Sequence, residues 1–358
     1  MKVLALNSSA RTGGQSKTEL MLSHLVEGMR QTGAEVEIVN LREKKIKVCI
    51  GCFTCWTKTP GKCIQQDDMT KELFPKWLEA DVCVYATPLF HHTVNATMKT
   101  FIERCLPICE PFLEKRGERW VHPLRQKPPG AVVLSVAGFP AMSAFGGMTH
   151  YVNFLFEQEE GRLWAEIYRP GSEFMVKDRR ILDDILDAAR QGGRELVESR
   201  KVSPETMARI EQPTHDDLMD FAEIANCMWR TCIAEGVTRK VFEKKGMIPH
   251  PDSLKTFMLL LRFGFNPEGA GDAKAVLQFD FTGRVEGACH FIIADRTIRV
   301  EAGAVEKPDL TIKAPFDVWI DIMTGKADGG QMLMEGKYKA EGDMDLLLNM
   351  NKFFGQSQ

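Results

Sequence analysis

Short apolar runs alternating with helical stretches across residues 1–170 limit the fold of this chain more than any other feature. Val3–Leu6, Asp81–Thr87 and Ala131–Val136 are continuous enough for strands buried on both faces, and Val36–Leu41 and Leu163–Tyr168 supply two more. Between them, Leu22, Leu25, Val26 and Met29 fall on one helical face. Lys71–Leu78 reads as a helix limited by Pro75, and Val94–Leu106 as one with Met98, Ile102 and Cys105 on one side. Strands alternating with helices predict an α/β fold, a doubly wound parallel sheet whose ligand lies beyond the carboxyl ends of its strands. Loops 7–17, 87–92 and 137–142 all leave such ends. They are expected to converge on one site.

The first of these loops, Asn7–Lys17, is rich in small hydroxyl residues and glycine and opens a helix. Backbone N–H groups at a helix start suit an anion, Ser8, Ser9, Ser16 and Thr18 add hydroxyls, and Arg11 or Lys17 adds charge. Ser16 followed by Glu19 reads as a capping box. The pattern is neither Gly-x-Gly-x-x-Gly nor Gly-x-x-x-x-Gly-Lys-Ser, which weakens dinucleotide-fold and triphosphate readings. An ordinary strand-to-helix loop would have the same composition.

Cys49, Cys52 and Cys55 stand in a consecutive Cys-x-x-Cys-x-x-Cys run, closed by Cys63 and followed by Asp67-Asp68-Met69. Zinc sites more often use two separated knuckles, whereas a compact run suits thiolates converging on an iron–sulfur cube. Zinc, a disulfide pair and free thiols stay open, since Phe53 and Trp56 alone would shape such a loop. Ten cysteines with no secretion signal point to a reducing cytoplasm. A net charge of −3 without a basic run argues against nucleic acid, and no apolar stretch is long enough for a membrane span. At 358 residues the chain suits two or three domains.

Ser8–Gly14, the Cys49–Cys63 loop with Asp67-Asp68-Met69, and Thr87-Pro88-Leu89-Phe90 with Met98–Arg104 together resemble the iron–sulfur flavoprotein branch of the NADPH-dependent FMN reductase family. The resemblance covers roughly residues 1–235 and implies a flavodoxin-like fold holding FMN. It implies that Ser9, Arg11, Gln15, Ser16 and Lys17 hold the phosphate. Thr87, Pro88, Leu89 and Phe90 would line one side of the isoalloxazine, and Gly138 and Phe139 the other. It further implies a [4Fe–4S] cluster on Cys49, Cys52, Cys55 and Cys63, NAD(P)H or ferredoxin as electron donor, and a homo-oligomer, dimer or tetramer. His91 and His92 depart from the pattern, where relatives often carry an aromatic. They are candidate catalytic groups, donating to the reduced ring or shuttling a proton to substrate, or they merely shape the loop. The long insertion Pro107–Pro129 suits a cover or an oligomer contact.

Residues 179–235 read as helices, one beginning after Ser203 with Pro204 in its first turn. A charged, proline-containing stretch follows, so the expected domains are 1–235, a connection over 236–264, and 265–358. The last part reads as a smaller α+β unit: strands at Ala275–Phe281, Ala288–Ile293, Thr297–Glu301 and Leu310–Ala314, then helices at Phe316–Met323, near Gly330–Met334, and at Met344–Phe354. Lys307–Ile312, Trp319–Gly325 and Glu335–Asp343 resemble the sterol carrier protein 2 (SCP2) family, which implies a tunnel for a sterol, acyl chain, quinone or similar apolar ligand. Phe316, Trp319, Met323, Met332, Leu333, Leu347 and Met350 are the expected lining, although each would equally serve a plain core.

Two functions are compatible with these features. The first is an FMN-dependent oxidoreductase passing electrons to a small acceptor, apolar where the last domain holds it. The second is a lipid- or sterol-binding protein whose flavodoxin-like domain is an electron carrier or redox sensor, with the cysteine loop structural.

Overall fold

Each apolar run becomes a strand in the computed structural model, which describes residues 1–156, 161–172, 179–213 and 217–354. In chain order these are β1 (Lys2–Asn7), β2 (Glu35–Asn40), β3 (Val82–Pro88), the small hairpin β4 (Glu114–Arg116) and β5 (Arg119–Val121), β6 (Gly130–Val136) and β7 (Leu163–Arg169). Leaving the hairpin aside, they form one five-stranded sheet in the order β2-β1-β3-β6-β7. Every pairing in it is parallel. This is the flavodoxin-like order, which reverses direction between β1 and β3.

Both faces are covered because alternate side chains of each strand need burial. Val3, Ala5, Val84 and Val132 pack with α1 (Lys17–Gln31) and, further along the chain, α5 (Arg179–Ser199) through Leu25, Met29, Ile185 and Ala189. Leu4, Leu6, Tyr85 and Val133 face the opposite way, toward Trp77 of α2 (Phe74–Glu79), Phe101 of α3 (Ala96–Glu103) and Met148 of α4 (Gly146–Phe156). Helices α1 and α5 approach backbone to backbone. A Cβ at Gly28 would collide with the carbonyl oxygen of Arg190, and one at Gly193 with that of Leu25.

Local chemistry sets the helix ends. Ser16 caps α1 by accepting from Glu19 N at 3.0 Å, but the expected reciprocal half of the box is not made: the Glu19 carboxylate faces Arg42 at 3.4 Å. Pro75 lies in the first turn of α2, after a wide π-type turn Met69–Leu73, where its missing N–H costs little. Ser203 caps α6 (Pro204–Glu211) by accepting from Thr206 N at 3.2 Å.

The chain divides into two units, Met1–Asp216 and Asp217–Gln358, so the break precedes the composition change near residue 236. The reason is α7 (Leu218–Ala234), which is bonded to residues 250–262 of the second unit. Thr231 Oγ1 accepts from His250 N at 2.7 Å, and Asp220 and Glu223 reach Arg262 and Lys255 of α9 (Leu254–Gly264), which comes after the short α8 (Arg239–Lys244).

A mixed sheet organises this second unit: β8 (Ala275–Thr282), β9 (Gly287–Ala294), β10 (Thr297–Ala302), β11 (Leu310–Pro315) and β12 (Lys339–Gly342), in the order β10-β9-β8-β11-β12. Only β8 and β11 pair in parallel. Its core is aromatic, with Phe257 of α9 edge-on to Phe279, Phe281, Phe291 and Phe316.

Candidate functional site

The carboxyl edge of the parallel sheet gathers the three expected loops. Asn7, Ser8 and Ser9, leaving β1, are buried. Ser8 N donates to Ala86 O at 2.9 Å, and Asn95 Nδ2 donates to Ser8 O at 2.7 Å. Asn95 also caps α3, accepting from Met98 N at 3.0 Å, while its own N–H donates to Thr87 Oγ1 at 3.2 Å. One buried asparagine, not singled out from the sequence, therefore ties the first loop to the end of β3.

Beyond Ser9 the loop opens toward solvent. Gly13 and Gly14 adopt φ of +64° and +77° with open space where a Cβ would stand, so glycine is needed there for conformation and not for room. Ser16 is buried, Lys17 half-buried, and Arg11 and Gln15 exposed at the start of the 15-residue α1. A hydroxyl-lined turn at a helix N-terminus with two nearby cations has the donor chemistry for a phosphate monoester.

The other two loops present aromatic faces. Thr87 is buried, Pro88 and Leu89 half-buried, and Phe90 56% exposed. His91 and His92 both adopt left-handed backbone, φ +46° and +62°. With Phe90 N and Thr93 N each donating to the other's carbonyl at 3.0 Å, they form the two central residues of a type I′ turn. His92 Nδ1 lies 2.9 Å from Ala144 O, which fixes the proton on Nδ1 and leaves Nε2 as the acceptor of a neutral ring. The imidazole stacks on Phe139 with centroids 5.8 Å apart and planes 17° from parallel. Phe139 is itself 58% exposed beside Gly138, and Gly171 N donates to its carbonyl at 2.7 Å. Two unburied phenylalanines on the loops after β3 and β6, at the same sheet edge as the anion-suited loop after β1, fit a planar aromatic group carrying a phosphate.

A second site forms at the cysteine loop. Cys49, Cys52, Cys55 and Cys63 line one small pocket of ≈ 20 Å³ with Ile50, Phe53 and Arg104. The base of the loop is tied by a buried ion pair. Arg104 and Asp67 have side chains 1% and 2% exposed, and Arg104 Nη1 donates to Asp67 Oδ2 at 2.6 Å and Nη2 to Oδ1 at 3.0 Å. Arg104 Nη1 also donates to Lys47 O at 2.6 Å, and Asp67 Oδ2 accepts from Lys47 N at 2.9 Å. The pair thus clamps residue 47, before the first cysteine, to residue 67, after the last.

Burial would raise the Asp67 carboxyl, but bonds from Arg104, Lys47 N–H and Thr70 N–H outweigh it and bring it down to about 2. Burial, then the neighbouring Cys63, pushes the Cys55 thiol up, with Cys52 and Cys49 adding to it. The donor set, four thiols beside a buried cation, suits a thiolate-bound metal centre. In the present rotamers no three His, Cys, Asp or Glu side chains are gathered at metal-binding distance among the described residues, so binding requires the thiols to turn inward. Trp56 Nε1 donates to Leu106 O at 3.4 Å and its ring packs on His122, 4.8 Å away, so the insertion does cover part of this loop.

In the second unit the expected apolar lining is mostly core. Phe316 and Trp319 are buried, 5.0 Å from Phe281 and 5.4 Å from Phe279 between ring centroids. Met323, Met332, Leu333, Leu347 and Met350 are half-buried against the same cluster. A pocket of ≈ 400 Å³ lies elsewhere, lined by Met258, Leu259, Ile298 and Val300 with Asp220, Lys255, Arg262 and Arg299.

Comparison with known proteins bears on both parts. Residues 1–150 match the family described as NADPH-dependent FMN reductase, and residues 267–355 match the SCP-2 sterol transfer family. The two matches fall in different parts of the chain. The FMN reductase-like part is 40% identical over 107 residues to an iron-sulfur flavoprotein of Archaeoglobus fulgidus, covering 30% of this chain and 46% of the relative. It is 32% identical over 108 residues to an iron-sulfur flavoprotein of Methanocaldococcus jannaschii, covering 30% and 52%. The chain spans about half the length of these curated relatives. Among solved structures, an NAD(P)H:quinone oxidoreductase from Methanothermobacter marburgensis aligns with TM-score 0.41 at 19% identity, over 55% of this chain and 96% of that one. An FMN-dependent NADH-azoreductase from Bacillus anthracis, in complex with FMN, aligns with TM-score 0.42 at 13% identity, over 55% and 100%. No helix among the described residues is long and apolar enough to cross a membrane.

Proposed function

We propose that the chain is an FMN-dependent oxidoreductase that takes electrons from NAD(P)H or a ferredoxin and passes them to a small, quinone-like or otherwise apolar acceptor. The observation that carries this reading is the carboxyl edge of the parallel sheet, where the Ser9–Lys17 loop leaves β1 and exposed Phe90 and Phe139 lie on the loops that leave the next two strands, β3 and β6. Ser9, Ser16, Arg11, Gln15 and Lys17 would hold the phosphate, and Thr87–Phe90 with Gly138 and Phe139 would bracket the ring. Bound FMN supplies exchange of two electrons or one. His92, its Nδ1 held by Ala144 O, presents Nε2 as the ring atom able to accept a hydrogen bond. The type I′ turn sets His92 against the loop that carries Phe139.

Cys49, Cys52, Cys55 and Cys63 would hold a [4Fe–4S] cluster, a one-electron centre when loaded. Similarity to relatives named iron-sulfur flavoproteins and the shared pocket support this. Val48, Ile50, Phe53 and Ile64 stand exposed on the same loop, which supports a homo-oligomer in which they are covered. The deciding experiment is an absorption spectrum of anaerobically purified protein with iron, sulfide and zinc determined on the same sample. Flavin bands with about four irons and four sulfides per chain are expected. Absence of flavin overturns the oxidoreductase reading, and zinc in place of iron makes the loop structural.

The ≈ 400 Å³ pocket and the SCP-2 match favour a second reading, a lipid- or sterol-binding protein whose flavodoxin-like part carries electrons. Copurified lipid with no NAD(P)H-dependent turnover would select it.

A further inference from the structure

Arg104 has more donors than its ion pair uses. Its two terminal nitrogens are engaged by Asp67, Lys47 O and Thr70 Oγ1, the last at 3.1 Å. Its Nε is buried and has no hydrogen-bond partner among the described residues. The same side chain lines the pocket with all four cysteines, whereas Asp67 does not. The Cys63 thiol lies close enough to interact with the guanidinium. A buried N–H without an acceptor is uncommon and asks for a reason. Thiolates around a metal supply one, since they carry net negative charge and accept N–H bonds at sulfur.

We infer that Arg104 is the positioning residue of the four-cysteine site, its guanidinium orienting Cys63 and offsetting the charge of a thiolate-bound metal centre. The inference rests on the reading of that pocket as a metal site. Asp67 plays the opposing part. It anchors the guanidinium by two hydrogen bonds and tempers its charge without lining the pocket, so the pocket sees a cation whose position is fixed by a carboxylate. Neither residue is a ligand, and neither exchanges a proton in this role.

The two halves of the pair must then act on the centre with opposite sign. Removing Arg104 takes away positive charge and disfavours the reduced, more negative state, so the potential falls. Removing the Asp67 carboxylate leaves the cation uncompensated, and the potential rises. Loss of packing alone would move both variants the same way.

Full-length, metal-free protein would be titrated anaerobically with Co(II), whose sulfur-to-metal charge-transfer absorption reports thiolate coordination. A second portion would be loaded with iron and sulfide for measurement of the midpoint potential. Arg104→Gln is expected to weaken Co(II) binding about 10–100-fold, the usual consequence of losing a group that orients ligands. Its potential is expected to fall, and that of Asp67→Asn to rise, each by on the order of tenfold in the one-electron equilibrium, about 59 mV. Should Arg104→Gln not fold, Arg104→Lys keeps the charge without the fork and is expected to bind Co(II) with intermediate affinity; wild-type affinity in it overturns the inference. Potentials that shift to the same side, or not at all, also overturn it. Wild-type protein that takes up neither Co(II) nor iron and sulfide removes the metal-site reading and this inference with it. Uptake with insensitive variants removes the inference alone.

Discussion

Replacing Asp67 by asparagine tests the clamp at the base of the cysteine loop through stability, independently of any metal. The carboxyl is ordinarily at 3.8 and is held at about 2 in the fold, with a side chain only 2% exposed. Because the folded value is the lower one, the contribution is fully present above pH ~3.8 and is lost as pH falls toward about 2. The difference corresponds to ~2.4 kcal/mol at about 1.36 kcal/mol per pH unit. Asparagine does not titrate, and it leaves Arg104 buried with no opposing charge, which costs roughly 3–5 kcal/mol. The expected result is a wild-type advantage of that order near neutral pH, shrinking by ~1.6 of the ~2.4 kcal/mol by pH 2.5. Urea unfolding of the metal-free protein at about pH 6, 4 and 2.5, followed by far-ultraviolet circular dichroism, measures the gap. A gap that stays constant or widens in acid would mean that Asp67 is not the ionised partner of Arg104, and the reasoning would be wrong.

Gly193→Ala should lower stability by about 2–4 kcal/mol, read as a drop in thermal midpoint, because its Cβ meets the α1 backbone at Leu25 and only a shift of the helices relieves it. His91→Gly should raise stability by ~1 kcal/mol, since glycine adopts the left-handed turn without strain, and a loss instead would show a structural contact of the ring. Phe139→Ala should weaken FMN binding at least tenfold by fluorescence titration, as it removes one exposed aromatic wall. His92→Gln should lower turnover while flavin content stays unchanged; unchanged turnover would assign His92 to shaping the loop.

The strands of the first sheet were legible because burial on both faces demands runs of apolar residues, as in Val82–Ala86 and Ala131–Leu134. The anion-suited loop was legible for a similar reason: few residue types tolerate a turn into a helix start. Strand β12 was not, because Lys339-Ala340-Glu341-Gly342 is a short polar edge strand with no hydrophobic alternation to betray it. The unit boundary was misplaced because composition marks exposed charge, whereas the division depends on which helix α7 packs against. Arg104 and Asp67 were both visible as residues but not as a pair, since 37 positions separate them and only the fold joins them. Phe316 and Trp319 show the converse limit. Their spacing fits a filled core as well as a tunnel lining, and the fold packs both rings against Phe279 and Phe281.

The clamp at residues 47 and 67 has a bearing on how metal and folding relate. In small metal-dependent domains the ion closes the chain, so a chelator unfolds them. Here the cysteine segment is shut at its neck by side-chain and main-chain bonds that involve no sulfur. The conformational cost of bringing its ends together falls on the polypeptide and not on the ligand. Stripping metal should therefore release the thiols while leaving the sheet and its melting behaviour nearly unchanged. A metal held there would sit in the segment as in a cartridge, open to loss and replacement without dismantling the protein that carries it.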